Sequence, residues 1–282
     1  MTEGTSRIVV GYDGGRDADL ALAWAIGTAR LDGRRLGVVI ATSAMDPILI
    51  SSFHERTEQL AADWLARAEK SVADAGLVDA TVEVRHGPTL PTLLHEVTAA
   101  DLLVVGSTGH GPFVETVGGS VSQHLARHAR CPVVVVRPTD RPDARRIVVG
   151  VDGSPESLAA TRFACARARV TGEPVEAVHG YHPLPFAGHD RAEEHQHVAD
   201  RQYLESGRLA AWVAPVRAAY PDVDVVEAAV PEPAPRLLAE RSGRASLLVL
   251  GSRGRDAFAD LLLGSTSQDA LHHARCPVAI VR

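Results

Sequence analysis

Apolar residues fall along the chain into short unbroken runs, separated by stretches where they recur at four-residue spacing. In the first half the runs cover residues 8–11, 36–41, 81–85, 102–105 and 133–136. They are rich in Val, Ile and Leu without polar alternation, the pattern of strands buried on both faces of a parallel sheet. Between them the period lengthens: Leu60, Trp64, Ala68 and Val72 form one apolar helix face. Helices covering a parallel sheet make an open α/β sandwich, here with five strands. Trp24 and Trp64 read most simply as core residues of those helices.

The same pattern then runs a second time. RIVVGYDGG (7–15) returns as RIVVGVDGS (146–154), 139 residues on. LLVVGSTG (102–109) returns as LLVLGSRG (247–254), and ARCPVVVVR (129–137) as ARCPVAIVR (274–282), both 145 residues on. A repeat of this length is a whole domain rather than a solenoid unit. The fold class is therefore α/β, two tandem open sandwiches, with domains at 1–138 and 145–282. Residues 139–144 join them, in the segment PTDRPDAR (138–145), whose prolines and charges suit an exposed linker.

Ligands of open α/β sheets bind beyond the carboxyl ends of the strands. Asp13 and Asp152 follow the first strand of each copy, and Gly106 and Gly251 follow the fourth. From there the spacing G-x2-G-x9-G-S occurs twice: Gly106, Gly109, Gly119 and Ser120, then Gly251, Gly254, Gly264 and Ser265. Glycines here would let backbone N–H groups approach a ligand and would accept positive φ. Each final Gly-Ser opens a helix, expected over 120–127 and 265–272, whose N-terminus is an anion site. Ser120, Ser122, Ser265 and Ser267 add hydroxyl donors. A lone Gly-Ser before a helix is most often only an N-cap; two matching loops, each facing a strand-one Asp, favour phosphate. A Walker loop is excluded because no Gly-Lys dipeptide exists, and the first turns lack the dinucleotide fingerprint. Lys70 is the only lysine, so phosphate charge falls to backbone donors, hydroxyls, a divalent ion such as Mg, or Arg253 and Arg255 in copy two. Copy one has Thr108 and His110 there.

A net charge of −6 argues against a nucleic-acid or anionic-membrane surface. The start of the chain shows no secretion pattern, and no apolar run approaches the roughly 20 residues of a spanning helix. Three cysteines without a CxxC pair suit a reducing cytoplasm. Cys131 and Cys276 precede prolines opening the last strands, and Cys165 sits among alanines; all three read as buried. His179, His182, His189, His195 and His197 invite a metal reading, but without fixed ligand spacing they read better as a solvated loop, and no metal is expected. No catalytic triad is evident, and only His110 and Asp256 stand near the loops as candidate bases.

These motifs, with the closing ARCPV strand, resemble the universal stress protein family in its tandem actinobacterial form, over residues 6–137 and 145–282. The resemblance implies a Rossmann-like sheet of order 3-2-1-4-5 and an ATP across strands one and four of each copy. It places Asp13 and Asp152 on the nucleoside, Gly11 and Gly150 at close backbone approach, and Ala41 and Gly180, just past strand two, against adenine. Ribose and phosphates fall to Gly106, Ser107, Thr108, Gly109, His110, Gly119, Ser120, Val121 and Ser122, and to Gly251, Ser252, Arg253, Gly254, Arg255, Gly264, Ser265, Thr266 and Ser267. It also implies that the last strands pair the copies as an intramolecular pseudo-dimer, and it is compatible with a homodimer. The function expected is a cytoplasmic stress-response regulator with ATP as regulatory ligand, acting on an unknown protein partner. A slow ATPase or nucleotide-dependent transferase is the alternative, and a nucleotide-independent chaperone-like protein the third reading. Fold analogy alone does not decide among them.

Overall fold

The structure is a computed structural model that describes residues 7–42, 51–97, 102–109, 120–182, 191–255 and 262–282. Its contacts divide the chain into two compact units, Met1–Pro138 and Thr139–Arg282.

Unit one runs β1 (Arg7–Gly11), α1 (Arg16–Asp32), β2 (Arg35–Thr42), α2 (Ser51–Asp74), β3 (Thr81–His86), α3 (Thr89–Glu96), β4 (Leu102–Gly106), α4 (Ser120–His128) and β5 (Val133–Val136). All its strand pairs are parallel, in the order β3-β2-β1-β4-β5. Unit two repeats the plan with β6 (Ile147–Gly150), α5 (Pro155–Thr171), β7 (Val175–Gly180), α6 (Arg191–Ala219), β8 (Val225–Val230), α7 (Ala234–Ser242), β9 (Leu247–Gly251), α8 (Ser265–His273) and β10 (Val278–Val281). Its parallel strands stand in the matching order β8-β7-β6-β9-β10. Both sheets thus have the expected 3-2-1-4-5 order.

The unalternating apolar runs are buried as anticipated: every residue of β5 and of β10 is inaccessible. β3 and β8 are only partly covered. α5 starts where Ser154 accepts the Ser157 amide and Pro155 follows, a capped start with a pre-set φ. Both α1 and α5 stop at a left-handed glycine, Gly33 and Gly172, whose N–H closes on the last turn.

Three packing expectations need correction. Trp24 and Trp64 are half-buried rather than core, and Leu60, at the head of the α2 face, is exposed while Ala68 and Val72 are buried. Trp64 instead lies on Gly14, where an added Cβ would come within 2.1 Å of the indole. Trp212 of α6 does the same at Gly153. His179 belongs to no loop: it lies in β7, paired with Ala229 of β8, and is buried. His195 and His197 are in α6, His182 is exposed just past β7, and His189 lies outside the described residues. The three cysteines are buried, and burial pushes the Cys165 thiol up to about 11.

Candidate functional site

In unit two a cavity of about 500 Å³ opens at the carboxyl end of the sheet. β6 contributes Gly150 and, just beyond it, Val151 and Asp152; β7 contributes Val178, His179 and Gly180. The β9 end and its loop contribute Leu250, Gly251, Arg253, Gly254 and Arg255, and the start of α8 brings Gly264, Ser265, Thr266 and Ser267. Of the copy-two residues that the resemblance assigns to the nucleotide, Ser252 alone is absent from the lining. It is buried, and its carbonyl accepts the Gly264 amide at 2.7 Å. α8 starts from Gly264 with no side-chain cap, so its first amides have no side-chain oxygen to receive them.

Asp152 anchors the polar side. Its Oδ1 accepts the Ser154 amide (2.9 Å) and hydroxyl (2.6 Å), and its Oδ2 accepts the Arg255 amide (2.9 Å). Burial alone would raise this carboxyl, but donors from Ser154, Arg255 and Ser157 outweigh it and hold the group below its ordinary 3.8. The apolar lining is Val151 just past β6, Val178 of β7 and Leu250 of β9, with Ala234 and Leu238 from α7.

His179 of the lining belongs to a charged cluster that the sequence did not disclose. His179 Nδ1 stands 2.8 Å from the Val151 carbonyl, and its Nε2 is 3.5 Å from the Glu205 carboxylate. Glu205, only 2% exposed, also meets Arg201 at 2.7 Å and Arg208 at 3.1 Å. Glu205 and Arg201 sit one helical turn apart on α6, the only hint of the cluster in the chain.

Unit one brings Asp13 and Gly109 together in the same way. Asp13 accepts the Gly15 amide at 3.0 Å, and a Cβ on Gly109 would stand 3.0 Å from its Oδ2. A different carboxylate, Asp17 in the first turn of α1, gathers the donors of the β4 loop. It is buried and accepts the Ser107 hydroxyl (2.5 Å), the Thr108 amide (3.1 Å) and the Thr108 hydroxyl (2.8 Å). The counterpart in unit two is Glu156, 3.2 Å from Arg253. Neither carboxylate was picked out in the sequence, although an acidic residue in a helix's first turn suits the helix dipole.

Several expected details differ. Gly106 and Gly251 are the last residues of β4 and β9, paired with Val136 and Val281, rather than loop residues. Ala41 and Gly180 likewise lie inside β2 and β7, paired with Arg85 and Val230. None of Gly106, Gly109, Gly251, Gly254 or Gly264 has positive φ. What requires glycine is contact within the protein. A Cβ on Gly106 would lie 2.8 Å from the Asp17 carbonyl carbon, and one on Gly251 at the same distance from that of Glu156. Gly11 and Gly150 face Leu93 and Leu250 at 2.9 and 2.6 Å, and Gly180 faces the Glu232 carbonyl oxygen at 2.7 Å. The buried hydroxyls of Ser122 and Ser267 donate to the Ser107 and Gly251 carbonyls, at 3.5 and 2.6 Å, rather than toward the cavity. Ser120, Val121 and Ser265 are exposed at their helix starts. His110, Gly119 and Asp256 lie outside the described residues.

Among the described residues there is no group of three or more His, Cys, Asp or Glu side chains that could hold a metal ion. No helix among them is long and apolar enough to cross a membrane.

The model of the universal stress protein family matches residues 4–137 and 144–282. One universal stress protein of Mycobacterium tuberculosis is 31% identical over 288 residues, covering 98% of this chain and 96% of that protein. Another from the same organism is 33% identical over 308 residues, covering 98% and 94%. The crystal structure of a universal stress protein from Archaeoglobus fulgidus superposes with a TM-score of 0.69 at 18% identity, over 99% of this chain and 98% of that one, a likeness of fold. The chain belongs to the universal stress protein family, as a tandem of two family domains related to mycobacterial paralogues.

Proposed function

We propose that the chain is an ATP-binding regulator of the stress response, acting in the cytoplasm, with one nucleotide site per unit. The observation that carries this reading is the unit-two cavity, whose two sides suit the two ends of a nucleotide. Val151, Val178, Ala234, Leu238 and Leu250 offer an apolar wall for a base. Asp152 stands where a ribose hydroxyl could donate, and the uncapped start of α8 supplies amides and hydroxyls for phosphates. Arg253 and Arg255 add positive charge, with Mg a further way to meet the phosphate charge. ATP is proposed to be held rather than turned over, its occupancy changing how a protein partner is engaged.

The test is to denature purified protein and identify the released small molecules by mass spectrometry, followed by calorimetry with ATP. The expected result is an adenine nucleotide, at up to two per chain. Replacing Gly109 and Gly254 by valine presses a branched side chain against Asp13 and Asp152. It should weaken binding on the order of a hundredfold through lost charge-assisted hydrogen bonds, with circular dichroism unchanged. Protein that carries no nucleotide and binds no ATP would sink the reading and revive a chaperone-like role. Multiple-turnover phosphate release that these substitutions abolish would replace it with an ATPase.

A further inference from the structure

The two arginines of the β9 loop stand in different situations. Arg253 is committed to Glu156 at 3.2 Å. Arg255 is exposed at the cavity lining, and its guanidinium lies over the Trp212 ring, 5.5 Å from the centroid. Its backbone is held, because its amide donates to Asp152 Oδ2 at 2.9 Å. The indole beneath is held as well. A Cβ on Gly153, at φ +83°, would come within 2.4 Å of the Trp212 ring, and His179 meets the same ring edge-on at 5.1 Å. The root of Arg255 and the surface it rests on are thus fixed, while among the described residues its cationic head meets a cation–π contact. Such a contact at an exposed position is weaker than a bidentate charge-assisted pair with phosphate oxygens.

We propose that Arg255 reads the length of the phosphate chain in unit two. The guanidinium rests on Trp212, and a nucleoside di- or triphosphate draws it onto the terminal phosphate. A monophosphate has no β- or γ-phosphate to offer it. Unit two therefore prefers ATP and ADP over AMP, and Trp212 senses the difference. The corresponding position of unit one is His110, with no guanidinium to transfer. This inference rests on the nucleotide reading above.

The test uses the full chain with Trp24→Phe and Trp64→Phe, leaving Trp212 as the single tryptophan. Saturating ATP should change Trp212 emission, and saturating AMP should leave it unchanged. In the chain with native tryptophans, Arg255→Gln should lower ATP affinity at one site roughly ten- to hundredfold by calorimetry, with AMP affinity held within about twofold. Arg255→Lys, which keeps charge without the planar fork, should fall between. A purely structural arginine would shift both nucleotides together. ATP binding with unaltered Trp212 emission, or an unchanged ATP-to-AMP ratio in Arg255→Gln, overturns the proposal and leaves the nucleotide reading standing. Absence of any nucleotide binding by the unaltered protein overturns both.

Discussion

In unit one the loop leaving the fourth strand is fastened by a buried carboxylate, Asp17, that gathers two hydroxyls and an amide. In unit two the carboxylate at the equivalent position, Glu156, meets Arg253 as an ion pair, and the Arg255 amide donates to Asp152. Asp17 and Glu156 each hold the loop against the first helix of their unit, but with opposite exposure. Asp17 and the Ser107 hydroxyl are out of solvent, where a lost partner leaves a buried donor unsatisfied, while Thr108 is exposed. The Arg253 side chain is 45% exposed, where an ion pair contributes little. Unit two also carries the Glu205 cluster, which reaches the cavity lining through His179, where unit one has Ile40, fully buried, at the same position. Duplication kept the backbone and rewrote the polar fastening.

The comparison breaks most visibly at Glu205. Glu205→Ala strands His179 and Arg201, and it should cost about 3 kcal/mol, at the low end for a broken buried pair because both arginines reach solvent. Hydrogen exchange should show the loss in unit two, with unit one amides unaffected. Equal losses in both units would mean the cluster is not local. Next is the loop fastening itself. Asp17→Ala should destabilise by about 2 kcal/mol in chemical denaturation, since the buried Ser107 hydroxyl loses its acceptor. Glu156→Ala, at the equivalent position, should cost less than about 1 kcal/mol. Matching values would erase the distinction between the two fastenings.

The smallest effect sharpens the comparison through pH. Asp152 sits below its ordinary 3.8 in the folded chain, so its contribution is complete above about pH 4. It is lost as pH falls below that value, through the lower folded titration. Asp152→Asn should flatten the acid limb of the stability profile in that window alone. An unchanged limb would show that the donors around Asp152 do not favour its charge.

The strands were legible because valine runs without alternation leave few other folds, and the two glycine loops because their spacing repeats. The fastenings were not legible, since Asp17 and Ser107 lie 90 residues apart and no local spacing links them. α3 and α7 also escaped: each is short and carries a proline in its opening turns, Pro91 and Pro235, which reads as a break. They supply Leu93 against Gly11 and Leu238 against Gly150, so the apolar wall was invisible while its polar rim was plain. His179 was misread by company, grouped with nearby histidines although it sits at the end of an apolar run.

Gly106 and Gly251 press backbone against backbone, each too close to the first turn of α1 or α5 to admit a methyl group. That constraint belongs to the folded chain whether or not anything is bound. A descendant of either copy that abandoned its ligand would still be forbidden an alanine there, while Gly264, with only ordinary contacts around it, would be at liberty to drift. The first glycine of the motif is therefore a fossil of the fold, and a lineage's memory of its ligand has to be sought further along the loop.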